Sequence, residues 1–375
     1  TILERGRAKI DDELGDKPVV RARLLTAIGS VYQNLGDIKG AEPILADAAK
    51  GPFASLGDEV TARMNYADAL IRLRAFDEAA QEIETAARLV DAAAPDLDVA
   101  ALSFHLMEID RQRASMAFYQ ADFDRAIATY LSAKEHCAKA PDCDPDTQAS
   151  ISNNLSVAYN DSGRTDEARK EMLTVRKIHA EKYGEDHLKT ATADHNIAYT
   201  DFRRSDFSSA LSLMPRVVGI YERVLEENHP LRATASLLLG RLYFAVGDAE
   251  AAATALARAR AVFETAYGAD HDEAAYASMY RALAVAKTGD REEALRDLAH
   301  AAAIYRKRYP PTHPNFGDVA AHQGFVLSMT GDKEGAAAAC RRGIAMMTAA
   351  LPPPDDAWLA DVKAQCAPII AATDG

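Results

Sequence analysis

Small and large apolar positions recur along this chain in a fixed order. A small residue stands at Gly29, Ala67, Ala114, Ser156, Ala198, Gly240, Ala282 and Gly324. Three positions later a large residue often follows, as at Tyr32, Leu70, Tyr159, Tyr243 and Leu327. Four positions beyond that the pattern breaks, at Gly36, Arg74, Ala121, Gly163, Ser205, Gly247, Gly289 and Gly331. Behind the clearest breaks come Asp and then an alanine: Leu35-Gly36-Asp37 to Ala41, Val246-Gly247-Asp248 to Ala252, Thr288-Gly289-Asp290 to Ala294, and Thr330-Gly331-Asp332 to Ala336. This order predicts two helices per unit. A small side chain lets the partner helix come close, where a large one would overpack. Glycine accepts the left-handed conformation that closes a helix, and the following Asp can cap the next one. The fifth unit departs from the pattern, with Asp201 between Tyr199 and Phe202 where a large apolar residue is expected.

The breaks lie 38, 47 and then five times 42 residues apart. Four histidines keep the same period: His187, His229, His271 and His313. Their neighbours return with them, in Tyr183-Gly184-Glu185-Asp186-His187, Glu227-Asn228-His229-Pro230, Tyr267-Gly268-Ala269-Asp270-His271 and Tyr309 to Pro314. A fixed period in this range marks a stacked repeat protein. Stacked units would space these histidines by roughly the 8–10 Å between packed helices, far beyond the about 2 Å of a metal–nitrogen bond. Each is instead expected to order its loop and cap the helix after it.

The small–large–turn–Ala order resembles the tetratricopeptide repeat. The 42-residue spacing, with Tyr-Gly, an acidic residue and His-Pro, resembles its kinesin-light-chain-like subclass. The resemblance covers roughly residues 20–350. It implies an all-α fold, a right-handed superhelical α-solenoid of about eight helix-turn-helix units whose concave groove binds peptides or protein segments. Departures are His271-Asp272, which lacks the proline, and Arg281 and Gln323, which stand where the family prefers an apolar residue. Three segments follow from this reading: an N-terminal helix or linker over 1–18, repeats over 19–350, and a capping helix over 354–371. The cap follows the break at Leu351-Pro352-Pro353-Pro354 and carries Trp358, Leu359, Val362, Ile369 and Ile370, with Pro368 expected to limit or kink it. Repeat arrays need such an end to cover the last apolar face.

Residues 1–49 look like the start of the repeat regions of bacterial membrane-anchored Ser/Thr protein kinases. The likeness rests on Ile2-Leu3-Glu4-Arg5-Gly6, Asp11-Asp12-Glu13-Leu14, Val20-Arg21-Ala22-Arg23-Leu24-Leu25 and Ala41-Glu42-Pro43-Ile44-Leu45. It implies a sensory or interaction region of a signalling protein. Such a region is periplasmic or otherwise extracytoplasmic if it follows a transmembrane kinase, and cytoplasmic if it does not. Because the chain opens at Thr1, it is expected to be a piece of a longer protein.

Composition narrows the partners. Of 375 residues, 48% are hydrophobic, enough to bury a core, and the net charge is −13. That charge argues against nucleic acid, which calls for a basic stripe, and against an anionic membrane surface. No run of about 18 apolar residues appears, so insertion of this segment into a membrane is not expected. The cysteines form two local pairs, Cys137 with Cys143 and Cys340 with Cys366. They are either four buried free thiols or two disulfides, which would imply an oxidising compartment.

No phosphate-binding glycine loop, nucleophile elbow or zinc-protease motif occurs. No catalytic residue, metal or cofactor is therefore expected. The remaining candidate is the groove lined by the first helix of each pair. Counting from each turn places Asn153, Asn160 and Asp161 there in the fourth unit. The fifth offers His195, Tyr199, Phe202 and Arg203, the sixth Thr234, Arg241 and Phe244, and the seventh Tyr276, Leu283 and Lys287. Asn and Arg can hydrogen-bond a peptide backbone or a carboxylate, and the aromatic rings can hold apolar side chains. Arg203, Arg241 and Lys287 would form a basic column in an acidic protein, which suggests an acidic peptide or C-terminus as ligand. Asn154 and Asn196 sit one step toward the core and are expected to satisfy backbone groups between repeats. The leading reading is a non-catalytic protein- or peptide-binding scaffold, and the alternative is a regulatory segment packing against the catalytic domain of another multidomain enzyme.

Overall fold

The structure is a computed structural model that describes residues 14, 16–351, 354 and 356–374. Most of the expected N-terminal segment 1–18 lies outside the described residues, including positions 2–6 and 11–13 of the kinase likeness. The described residues form 17 α-helices and no strand. They divide into two compact units, Thr1–Glu185 and Asp186–Gly375.

The first unit holds four hairpins: α1 (Pro18–Asn34) with α2 (Ile38–Ala48), α3 (Leu56–Arg72) with α4 (Phe76–Ala93), α5 (Val99–Tyr119) with α6 (Phe123–Lys139), and α7 (Pro145–Asp161) with α8 (Thr165–Tyr183). The second unit holds α9 (Leu188–Arg203) with α10 (Phe207–Val224), α11 (Pro230–Val246) with α12 (Ala249–Tyr267), α13 (Asp272–Lys287) with α14 (Arg291–Arg308), and α15 (Pro314–Met329) with α16 (Lys333–Thr348). It ends in α17 (Asp356–Asp374). Within each unit the second helix of a hairpin packs on the first helix of the next.

Each turn is built by one backbone device. The turn residue has positive φ in all eight hairpins, from 60° at Ala121 to 96° at Gly289. In the first hairpin, Gly36 N–H donates to the Gln33 carbonyl and Asp37 N–H to the Tyr32 carbonyl, which closes the helix. The same reach-back bond recurs from Asp122 to Ala117, Asp206 to Asp201, Asp248 to Tyr243 and Asp332 to Leu327. The Asp then serves the next helix: the side chains of Asp37, Asp122, Asp206, Asp248, Asp290 and Asp332 each accept a first-turn backbone N–H. Arg74, Ala121 and Ser205 hold the left-handed conformation without being glycine, which costs roughly 1–2 kcal/mol each.

Between the helices of each hairpin, side chains are stripped away. The alanine five residues past each turn is fully buried in all eight: Ala41, Ala79, Ala126, Ala168, Ala210, Ala252, Ala294 and Ala336. The small residue of the first helix faces the same contact. A Cβ on Gly29 would come 2.3 Å from Leu45, and one on Gly240 would come 2.5 Å from Leu256. Ser156 fills the position with a hydroxyl that donates to the Ala168 carbonyl at 2.9 Å. In the last hairpin backbone meets backbone: Cβ atoms on Gly317 and Gly343 would each meet the other residue's carbonyl oxygen, at 2.8 and 2.7 Å.

The periodic histidines start the first helices of the second unit. Nδ1 of His187, His229, His271 and His313 accepts the backbone N–H of Lys189, Leu231, Glu273 and Asn315 at 3.1–3.3 Å. Tyr309 stacks on His313 with ring centroids 3.9 Å apart, and its hydroxyl donates to Asp272 at 2.5 Å, tying the end of α14 to the start of α13. In the first unit Ser55, Asp98 and Asp144 do the capping.

The polar intruders are paired. Buried Asp201 bonds Arg204 at 3.1 Å. Arg281 forks onto Glu293 and onto buried Asp297, which Arg260 also holds at 2.8 Å. Gln323 accepts from Arg342 at 2.7 Å. Helix α17 covers the end of the last hairpin, with Val362 and Cys366 buried and Trp358, Leu359, Ile369 and Ile370 packed around them. Of the two outcomes expected at Pro368, a limit or a kink, the limit is not seen; the helix runs through to Asp374. A proline ring removes a single helical bond, and the apolar residues on either side of it are packed on the core.

Cys137 and Cys143 form a disulfide across the end of α6, with Cα atoms 5.4 Å apart, while Cys340 and Cys366 are free and buried. The pairs therefore split, one disulfide and one dithiol, where the sequence offered all free or all bonded.

Three stability measurements follow. Ala121→Gly should raise the denaturation midpoint, worth about 1 kcal/mol, because it removes the strain of a left-handed alanine. Gly343→Ala should lower it by about 1–3 kcal/mol, because the new Cβ meets backbone that cannot step aside. Separately, Asp297→Asn strips a shared partner from two arginines and should lower stability by roughly 2–3 kcal/mol. A midpoint unchanged by Asp297→Asn would mean the network is solvated.

Candidate functional site

The first helices of the second unit bring a set of rings around one cation. Arg241, in the middle of α11's last turns, sends its guanidinium over Phe202 of α9 at 4.5 Å and over Tyr280 of α13 at 4.8 Å, with Tyr276 at 5.9 Å. Tyr276 and Tyr280 are one helical turn apart, and the Tyr276 hydroxyl donates to that of Tyr280 at 3.2 Å. Burial, with the neighbouring Tyr280 phenol, pushes the Tyr276 phenol well above its ordinary range. Phe202 also packs against Phe207, 5.7 Å away. Three consecutive hairpins thus each contribute to one cluster.

Arg241 is half-buried, and its Nε has no hydrogen-bond partner. No carboxylate among the described residues lies within ion-pair range of it. Rings attract a cation through their negative faces, by about 0.5–2 kcal/mol, and they leave the guanidinium's N–H donors unspent. The arrangement can therefore receive an anion while the stem stays fixed. One turn further along, Lys287 Nζ lies 5.7 Å from the Phe244 ring, a second and more exposed cation on an aromatic face.

The other expected residues are placed differently. Tyr199 is half-buried beside the α9–α10 core. Arg203 is exposed at the end of α9. His195 turns inward: its Nδ1 lies 3.3 Å from Asn196 Oδ1 and its ring stacks toward Tyr221 of α10. Burial holds its proton below the ordinary histidine range. Asn153 and Asn160 stand on α7 in the first unit, Asn160 buried and Asn153 bonded to Asn154 at 3.3 Å. Asn154 Oδ1 accepts from Asn153 Nδ2 at 3.3 Å, a contact along α7.

Two features escaped sequence reasoning. Tyr280 follows Tyr276 by four residues and shares its face, a spacing that could have flagged it. The first unit carries a cavity of about 520 Å3, lined by Ala22, Thr26 and Ser30 of α1, Thr61 and Asn65 of α3, and Phe104 of α5. No motif in the sequence announces it. Among the described residues no group of His, Cys, Asp and Glu is placed to hold a metal, and no helix is long and apolar enough to cross a membrane.

Comparison with known proteins agrees with this architecture. No curated protein matches the chain by sequence. Among solved structures, the apo form of RapI shares 15% identity and a TM-score of 0.67, over 87% of this chain and 86% of that one. A Rap protein complexed with Competence and Sporulation Factor shares 14% and 0.57, over 94% of this chain and all of that one. BtubC (BKLC) from P. vanneervenii shares 23% and 0.51, over 64% and 93%. These likenesses establish the all-α helical-repeat solenoid. Models of the tetratricopeptide repeat match residues 26–98, 147–222, 190–265 and 277–315. The chain belongs to the tetratricopeptide-repeat family.

Proposed function

We propose that this chain is a non-catalytic protein-binding scaffold whose second unit takes an acidic peptide segment on the face of its first helices. One observation carries the reading. Arg241 is a half-buried cation on three rings, with no carboxylate beside it among the described residues. In a chain of net charge −13, a cation without a counter-charge is a natural anchor for a carboxylate from outside. Phe202 and Tyr280 would hold apolar side chains of the same segment, and Lys287 would extend the positive strip. The family supports an interaction role. So does the Rap neighbour, whose structure was solved in complex with Competence and Sporulation Factor. The kinase likeness of residues 1–49 adds a context in which such a face is the sensory arm of a signalling protein.

Fluorescence anisotropy with labelled acidic peptides tests the reading on the full chain. Arg241→Glu should weaken binding at least about tenfold, or about 1.4 kcal/mol, with helicity by circular dichroism unchanged. Arg258→Glu, on α12 and paired there with Glu222, should leave it near wild type. Equal binding by wild type and Arg241→Glu would remove Arg241 as the anchor.

A further inference from the structure

The last hairpin and the terminal helix bring together the two cysteines left outside the disulfide. Cys340 lies on α16 and Cys366 on α17, both fully buried in one apolar cluster. Cys340 stands nine residues after its turn, where the first and sixth hairpins place Leu45 and Leu256. There the side chain meets the small residue of the first helix: a Cβ on Gly324 would lie 2.6 Å from Cys340 Sγ. The last hairpin thus puts a thiol where the first and sixth put a leucine and others a side chain also larger than cysteine, such as Ile83, Tyr130 or Met172. On α17, Cys366 falls one turn after Val362, and these are the buried residues of that helix's inner face. The terminal helix is therefore seated on the last hairpin, with both thiols inside the same buried cluster.

The surroundings make the two thiols unequal. The Cys366 thiol hydrogen-bonds Cys340 and, together with the nearby His322, holds the Cys340 thiol below its ordinary range against the effect of burial. Burial would lower the His322 proton's affinity, but the Asp318 carboxylate, 3.2 Å from Nδ1, outweighs it and holds that proton above the usual range. Cys340 is thus the thiol that yields a thiolate first.

We propose that Cys340 and Cys366 are a redox-active dithiol that a low-molecular-weight disulfide converts into a second disulfide, latching α17 to the last hairpin. The Cys340 thiolate attacks one sulfur of the reagent, forming a mixed disulfide and expelling one reagent thiolate. The Cys366 thiolate then attacks the Cys340 sulfur, the intramolecular S–S bond forms, and the second reagent thiolate leaves. The two protons released by the cysteines end on the two reagent thiols, and two electrons pass from protein to reagent. Because both thiols are buried, the reagent reaches Cys340 only when α17 lifts, so local opening of the terminal helix sets the rate.

The test uses the full chain incubated with oxidised glutathione, followed by alkylation in denaturant and mass analysis. The expected result is a fall from two alkylatable thiols to none, a mass loss of two hydrogens, and one cross-linked peptide joining Cys340 to Cys366, all reversed by dithiothreitol. Val362→Ala, which loosens the seat of α17, should speed the loss. Two thiols that stay alkylatable under conditions that oxidise the unfolded chain would overturn the proposal. So would capture of glutathione on both cysteines with no cross-link. Since the wild type carries the test, a poorly folding Cys366→Ser variant would not weaken it.

Discussion

The contact on which this structure rests is the bare approach of two helices at a residue with almost no side chain. In each hairpin a buried alanine of the second helix faces a glycine, alanine or serine of the first. Small residues bring backbones close enough for the flanking large ones to interlock. The left-handed turn sets the direction of return and the small pair sets the distance. With both held constant, each hairpin offers its neighbour the same surface, and stacking can continue within a unit. Where a polar residue interrupts the seam, as Asp201 and Arg281 do, it is bonded to an opposite charge, since an unpaired buried charge would cost several kcal/mol.

Much of this was legible in the residues, for physical reasons. A glycine followed by aspartate does two backbone jobs at adjacent positions, and few other dipeptides do both. A histidine before a helix supplies an acceptor for an orphan N–H, so its period announces the helix starts. Arg74, Ala121 and Ser205 were less legible: each adopts a conformation its side chain disfavours, and only the register of the neighbouring repeats points to it. The cysteines were ambiguous because spacing does not report burial or direction. Two thiols six residues apart across a helix end bonded, and two on facing helices did not.

The candidate site was half legible. Position counting put Phe202, Arg241 and Tyr276 on first-helix faces, and they meet around one guanidinium. Counting could not tell that His195 turns toward Tyr221, because a single residue's direction depends on rotamer and on local space. Tyr280 shares the face of Tyr276 one turn earlier, so the four-residue spacing carried its signal. Rings rather than carboxylates fix the cation, so no internal ion pair ties up its N–H donors.

The terminal helix has one more consequence. It carries Trp358, the chain's single tryptophan. Indole emission therefore reports the environment of that one end and nothing of the hairpins before it. In a molecule built from modules that can open separately, a fluorescence melt would register the undocking of the tail. A backbone signal such as ellipticity would be needed to follow the remainder, and disagreement between the two probes would be a measure of how independently the end behaves.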